Sequence, residues 1–147
     1  LRCQLLRRAL ADFRHHKKRI LCMKNTEIVK ELWTKFSQGN YVDCEVLLHE
    51  NLKVLWPTSR EFYEGRDDFI TVNEAFGKDW TFDILSLEET MSDKVISVVH
   101  VSSSSCSDSF YATSIFSFVS GVITNMETYW AFQDKQPEWR RNLSKVY

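Results

Sequence analysis

The sequence predicts an α+β fold, in which helices come first and a meander of long antiparallel strands follows. Three segments between residues 25 and 76 carry apolar residues at helical spacing. From residue 80 onward, four segments rich in β-branched and aromatic residues are separated by turns of Gly, Ser and Asp. A strongly bent sheet around three N-terminal helices would form a cone that encloses an apolar cavity.

The predicted helices, with one strand among them, occupy the first half of the chain. The first helix carries an apolar stripe, formed by Ile28, Val29, Leu32, Trp33 and Phe36. Asp67 and Asp68 fall in the first turn of the third helix, where acidic side chains favour the helix dipole. The predicted segments are a helix ending at Gly39, a short helix over residues 41–49, a strand over residues 51–56, a loop over residues 58–64 and a helix over residues 66–76.

The four later strands are predicted over residues 80–90, 94–104, 110–119 and 122–132. Ser120-Gly121 separates the last two strands and tolerates the positive φ of a tight hairpin turn. A strict two-residue turn at this point pairs Phe118 with Ile123. That register would point three side chains inward, namely Asn125, Glu127 and Tyr129.

Length and composition predict one domain that is rich in aromatic residues. The chain has 147 residues, including ten Phe, five Tyr and five Trp. Residues 1–22 hold seven Lys or Arg and one Asp, for a net charge of +6, whereas the rest of the chain has 12 basic and 19 acidic residues, for a net charge of −7. We predict that residues 1–22 are a basic extension outside the fold and that residues 23–147 form the domain. A targeting peptide, or an arm that binds nucleic acid or membrane, is the alternative for residues 1–22.

The cysteines and histidines show no metal-binding spacing. They are Cys3, Cys22, Cys44 and Cys106, with His15, His16, His49 and His100. We expect no metal and no cofactor, and we expect free cysteines in a reducing compartment, which indicates a cytoplasmic protein. No apolar run approaches the ~20 residues of a membrane helix, and we predict neither a membrane nor a nucleic-acid partner.

Five motifs occur in a characteristic order: Gly39, Trp56-Pro57, Gly65-Arg66, and the segments SIFSF and ITNMETYW on either side of the last turn. In this order and spacing they resemble the nuclear transport factor 2-like superfamily, in particular its SnoaL-like (polyketide cyclase-like) domains, over residues 24–140. The resemblance implies a cystatin-like α+β roll, with a cone-shaped bent antiparallel sheet wrapped around three helices. It also implies a homodimer made by pairing two sheets, and apolar residues on both faces of the strand that begins at Tyr111 agree with this.

Ketosteroid isomerase is the best-understood enzyme of the fold that the sequence resembles. It takes a proton with an Asp and holds the enolate oxygen with a Tyr and a protonated acid. The matching positions in this sequence hold Trp56, Leu32 and Ser114. Because Trp cannot take the proton and Leu has no donor, only Ser114 could keep its role. We therefore predict the fold without the base of that enzyme.

The resemblance also implies which side chains line the cavity. On the last strand it places Met126, Thr128 and Trp130 inside, one residue out of step with the strict turn, and a β-bulge would reconcile the two registers. The predicted ligand-binding residues are Trp33, Trp56, Tyr63, Phe69, Ser114, Phe116, Met126, Thr128 and Trp130. Because Trp, Phe and Met dominate this set, we predict that the ligand is a small hydrophobic molecule, aromatic or polycyclic.

His100 is the predicted proton-transfer residue, because a histidine in a strand of Val and Ser could act as a base if it faced the cavity. A sheet histidine without a catalytic duty is the alternative. Asp83 would act as an acid or base on the concave face and would be a solvated charge on the convex face. Two functions stay open: a cyclase, isomerase or dehydratase acting on a hydrophobic molecule, and a non-catalytic ligand-binding or dimerisation module.

Overall fold

The computed structural model describes residues 23–147, so the predicted extension over residues 1–22 lies outside the described residues. Within the described part, two α-helices pack against one six-stranded sheet. The helices are α1 (Asn25–Ser37) and α2 (Arg66–Phe76), and 3₁₀ helices cover Val42–Leu47 and Glu138–Arg140. The strands are β1 (Leu48–Trp56), β2 (Glu61–Glu64), β3 (Trp80–Glu89), β4 (Val95–Ser103), β5 (Ser109–Val119) and β6 (Val122–Phe132). The predicted α+β cone is confirmed.

The sheet is mixed, whereas the prediction was a wholly antiparallel one. Its strand order is β2-β1-β6-β5-β4-β3, and β1 runs parallel to β6 while the other neighbours are antiparallel. No hairpin turn connects β1 to β6, so the local sequence carries no signal for their relative direction. Because β1 and β6 are parallel, their C-terminal ends lie at the same end of the sheet.

Two segments before α2 differ in part from their predictions. The segment predicted as a helix over residues 41–49 is a 3₁₀ helix followed by the start of β1, which begins at Leu48. The predicted loop over residues 58–64 contains β2, which pairs Trp56 with Glu61 and Val54 with Tyr63. A strand of four residues is too short for an alternation pattern to be recognised.

The apolar stripe of α1 is buried against the concave face of the sheet, as predicted. Trp33 stacks on Phe82 with 5.6 Å between ring centroids, and Phe36 meets Phe82 edge-on at 5.3 Å. Ser37 Oγ accepts a hydrogen bond from the backbone N–H of Phe82 at 2.8 Å, which joins the end of α1 to β3. These contacts fill the centre of the cone with aromatic rings.

The hairpin of β5 and β6 contains the bulge that the two registers required. Phe118 pairs with Ile123, but Ser117 pairs with Asn125, so Thr124 is an extra residue in β6. Beyond the bulge, Met126 lies opposite Phe116 on the concave face. The register of the strict turn therefore holds only beside the turn itself.

Candidate functional site

An open pocket of about 580 Å³ lies at one end of the sheet. The ends of β1 and β6, the starts of β3 and β5, and the second half of α2 surround it. Six aromatic side chains line it: Trp56, Phe76, Phe82, Phe110, Trp130 and Phe132. Its polar lining consists of Thr58, Ser59, Glu61 and Asn73. Mostly apolar walls with a few polar groups are typical of small-molecule sites.

The aromatic walls of the pocket meet at steep angles. The rings of Trp56 and Trp130 are almost perpendicular, at 89°, with centroids 5.5 Å apart. Phe110 approaches Trp130 at 5.4 Å and 67°. Edge-to-face contacts of this kind add about 0.5–1.5 kcal/mol each to the burial of the rings. The walls therefore hold one another in position before any ligand binds.

The two indole N–H groups of this wall are covered by protein. Trp56 Nε1 and Trp130 Nε1 are shielded from solvent, and neither has a hydrogen-bond acceptor among residues 23–147. Leaving a buried donor without an acceptor costs about 1–3 kcal/mol. Because the nitrogens are covered, the surface that these two rings present to the pocket is ring carbon.

Two of the nine predicted ligand-binding residues line the pocket, and a third contacts one of them. Trp56 and Trp130 line it, and Tyr63 packs edge-on against Trp56 with ring centroids 4.8 Å apart. The Tyr63 hydroxyl donates to Glu61 Oε2 at 3.2 Å. Burial, the negative charge of Glu61 and this hydrogen bond raise the pKa of Tyr63. Tyr63 therefore contacts both a ring of the pocket wall and the Glu61 carboxylate.

The other six predicted binding residues belong to the core and do not line the pocket. They are Trp33, Phe69, Ser114, Phe116, Met126 and Thr128, and each is at most 3% exposed. The pocket does not reach these residues, because aromatic side chains fill the interior of the cone. Trp33 meets Phe116 edge-on at 6.1 Å in addition to its stacking on Phe82. The pocket is therefore limited to one end of the sheet, where β1 and β6 end.

A row of buried hydroxyl groups crosses the sheet beneath the pocket. Ser97 on β4, Ser114 on β5 and Thr128 on β6 are cross-strand neighbours. Trp33 Nε1 donates to Ser97 Oγ at 3.0 Å, and the hydroxyls of Ser114 and Thr128 are hydrogen-bonded at 2.9 Å. Ser114 is the residue that could have kept a role in enolate binding. Its hydroxyl instead satisfies a hydrogen bond inside the core.

His100 lies on the outer, convex face of the sheet, and its prediction as a base in the cavity is wrong. The concave residues of β4 are the buried Val95, Ser97, Val99 and Val101, and His100 alternates with them. It pairs with Asp83 on one side and Tyr111 on the other, and its ring lies 5.0 Å from that of Tyr111. Asp83 is likewise an exposed residue of the outer face.

The sequence prediction missed four aromatic residues of the pocket, although the pattern contained signals for three of them. Phe110 lies an even number of positions from Phe116 on β5, so strand alternation places both on one face. Phe76 follows Phe69 and Asn73 at helical spacing. Phe132 lies two positions after Trp130 on β6, so alternation places it on the same face as Trp130. Phe82 carried no such local signal, because its place at the pocket depends on how the strand ends align.

Among residues 23–147, no three His, Cys, Asp or Glu side chains are grouped as metal ligands. In the same part of the chain, no helix combines the length and the apolar character that a membrane crossing requires.

Neither a protein-family model nor a curated protein matches this sequence. Solved structures do match it. A ketosteroid isomerase-like protein from Kribbella flavida aligns with a TM-score of 0.74 at 15% identity, over 84% of this chain and 90% of that one. An NTF2-like protein of unknown function from Burkholderia xenovorans gives 0.65 at 18% identity, over 82% and 93%. A SnoaL-like protein from Shewanella putrefaciens gives 0.62 at 9% identity, over 74% and 91%.

These comparisons confirm the fold that the sequence motifs implied. The chain has the nuclear transport factor 2-like fold, the architecture that SnoaL-like proteins also have. At identities of 9–18% the likeness establishes the architecture alone. Function has to be argued from the pocket.

Proposed function

We propose that this protein binds a small, predominantly apolar molecule in the aromatic pocket and does not convert it chemically. The observation that supports the proposal is the pocket itself, about 580 Å³ in volume and walled by six aromatic side chains. Aromatic walls contribute apolar surface at little cost in side-chain entropy. A ligand that covers them gains roughly 25 cal/mol for each Å² of apolar surface removed from water.

The side chains around the pocket argue against proton-transfer catalysis. Trp56 stands at the position of the isomerase base, and Leu32 and Ser114 are buried in the core. Glu61 is the one titratable side chain among the described residues that line the pocket, and it is exposed to solvent. An exposed carboxylate lacks the desolvation that tunes a catalytic acid or base. Binding without conversion therefore has more support than a cyclase, isomerase or dehydratase activity.

The test uses the neutral apolar dye N-phenyl-1-naphthylamine, whose fluorescence rises when it enters an apolar site. Trp130→Ala should weaken dye binding by about 1–3 kcal/mol, because it removes a ring from the pocket wall. The control is Trp139→Ala, which removes an exposed Trp from the C-terminal segment and should leave binding unchanged. Equal dye affinity of Trp130→Ala and the unmodified protein, with circular dichroism showing both folded, would place the binding site elsewhere.

We also propose that the outer face of the sheet forms a homodimer. Ile96, Val98 and Ile115 are half-buried there, and Leu55, Phe62 and Tyr129 are exposed on the same face. An apolar surface of this extent on one face of a sheet favours cover by another molecule. A second copy supplies a self-complementary cover.

A cytoplasmic location remains our proposal, and cysteine chemistry supports it. Cys44 is buried and Cys106 is exposed, and both are free thiols. Free thiols are typical of reducing compartments.

A further inference from the structure

We infer that the ligand of this pocket is an organic cation, with an alkylated ammonium group on an apolar body. The inference rests on the proposed function, since it requires the pocket to hold a small molecule. It adds the charge of the ligand, which the apolar walls alone do not specify.

The charges around the pocket favour a cation. No Lys, Arg or His is among the described residues that line it, and Glu61 supplies its one formal charge. Tyr63 donates to the Glu61 carboxylate at 3.2 Å. An anionic ligand would find no counter-charge here and would be repelled by Glu61. A cation would be attracted by it.

The aromatic walls offer a surface that suits an ammonium group. The rings of Trp56 and Trp130 are 5.5 Å apart and those of Trp130 and Phe110 are 5.4 Å apart, so one group can lie close to more than one ring. A ring face attracts a cation that lies within about 6 Å of its centroid. Because both indole nitrogens are covered, the walls offer ring carbon and no N–H donor to a ligand's oxygen atoms.

Each polar side chain of the pocket can accept a hydrogen bond, although the hydroxyls of Thr58 and Ser59 can also donate one. Asn73 Nδ2 donates one of its two N–H groups to the carbonyl oxygen of Phe69 at 2.8 Å, and Oδ1 is the acceptor of this amide. The Glu61 carboxylate is also an acceptor. The positive charge of an alkylated ammonium group is attracted by these oxygen atoms and by the Glu61 carboxylate, which would repel a carboxylate of the ligand.

The test compares two probes of the same shape and different charge by isothermal titration calorimetry at pH 6.5 and low salt. One is 3-hydroxyphenyltrimethylammonium, and the other is its uncharged isostere 3-tert-butylphenol. We expect the cation to bind about two- to fivefold more tightly, as cation–π contacts in a pocket open to solvent allow. Equal affinities, or tighter binding of 3-tert-butylphenol, would overturn the inference while leaving the proposed binding function intact. Absence of binding by both probes would also overturn the inference, whereas the proposed binding function stands or falls with the binding of N-phenyl-1-naphthylamine.

A matched pair of variants separates the pocket carboxylate from general surface charge. Glu61→Gln should weaken binding of the cation about two- to fivefold at low salt and leave 3-tert-butylphenol unaffected, because Gln keeps an acceptor for Tyr63 but removes the charge. Glu64→Gln, on the same strand but outside the pocket, should change neither affinity. Equal losses of cation affinity in the two variants would assign the preference to the overall charge of the protein and overturn the inference.

Discussion

At the scale of single residues, Trp56 shows how this chain differs from the enzyme that it resembles in fold. The sequence alone placed Trp56 at the end of the first strand, and the structure places the same side chain in the pocket wall. Local sequence could not indicate that Trp33 and Phe116 close the interior of the cone, because that contact joins elements far apart in the chain. The sequence alone therefore showed which residues stand at the positions that match the catalytic groups of ketosteroid isomerase. It did not show where the pocket lies.

Tyr41 gives a pH prediction at this scale. It is fully buried, and its hydroxyl donates to the carbonyl oxygen of Gly77 at 2.7 Å. Burial, followed by the charges of Glu74 and Cys44, raises the pKa of Tyr41 from 10.0 to about 12. A group whose pKa is higher in the folded state stabilises the fold below its unfolded pKa and loses that contribution as the pH rises. Stability should therefore fall between pH 10 and pH 12.

Urea unfolding at pH 8 and at pH 11 measures this effect. Tyr41→Phe should cost about 1 kcal/mol at pH 8, where it removes the hydrogen bond to Gly77, and should lose less stability than the unmodified protein between the two pH values. Burial also raises the pKa of Cys44, from 9.0 to about 12, so part of the alkaline loss should remain in the variant. The fully exposed Tyr147 provides the control, Tyr147→Phe. The same alkaline loss in Tyr41→Phe and the unmodified protein would contradict the assignment.

At the scale of elements, the sequence predicted the long strands better than the short or irregular segments. β3 to β6 match their predicted ranges within one residue at each end, because alternation over nine or more residues and the turns between them are strong local signals. β2 has four residues and gave no such signal. The first 3₁₀ helix shared its apolar spacing with an α-helix, and only the hydrogen bonds distinguish the two.

The bulge at Thr124 gives a prediction about strand register. Ile123 and Met126 both face the concave side, with Thr124 and Asn125 between them. Deletion of Thr124 would restore regular alternation and keep Met126, Thr128 and Trp130 in place, so the protein should stay folded and keep dye binding. Deletion of Glu127, in the regular part of β6, would move either Met126 or the residues after it to the other face and should abolish the native fold.

Thermal unfolding and N-phenyl-1-naphthylamine binding compare the two deletions directly. A deletion of Thr124 that unfolds the protein as completely as the deletion of Glu127 would show that the bulge itself is required, and would contradict this account of the hairpin.

At the scale of the whole molecule, the two faces of the sheet differ in what covers them. The concave face packs against α1 and α2, whereas the outer face carries Ile96, Val98 and Ile115 with no cover among residues 23–147. Residues 1–22, with their net charge of +6, lie outside the described residues, and our prediction that the domain folds without them stands independently of the outer face. The outer face is therefore where an oligomer is expected.

The homodimer proposal predicts a mass of about twice the 17.4 kDa of one chain in light scattering at micromolar concentration.

Ile115→Lys places a charge among the apolar residues of the outer face and should shift the protein to monomers, because an unpaired charge buried at an interface is costly. Val42→Lys adds the same charge at an exposed position in the first 3₁₀ helix and should leave the dimer intact. Since Ile115 pairs with Glu127 on the face opposite the pocket, both variants should still bind N-phenyl-1-naphthylamine. A monomeric mass for the unmodified protein, or a dimer that persists in Ile115→Lys, would show that the outer face does not pair two copies.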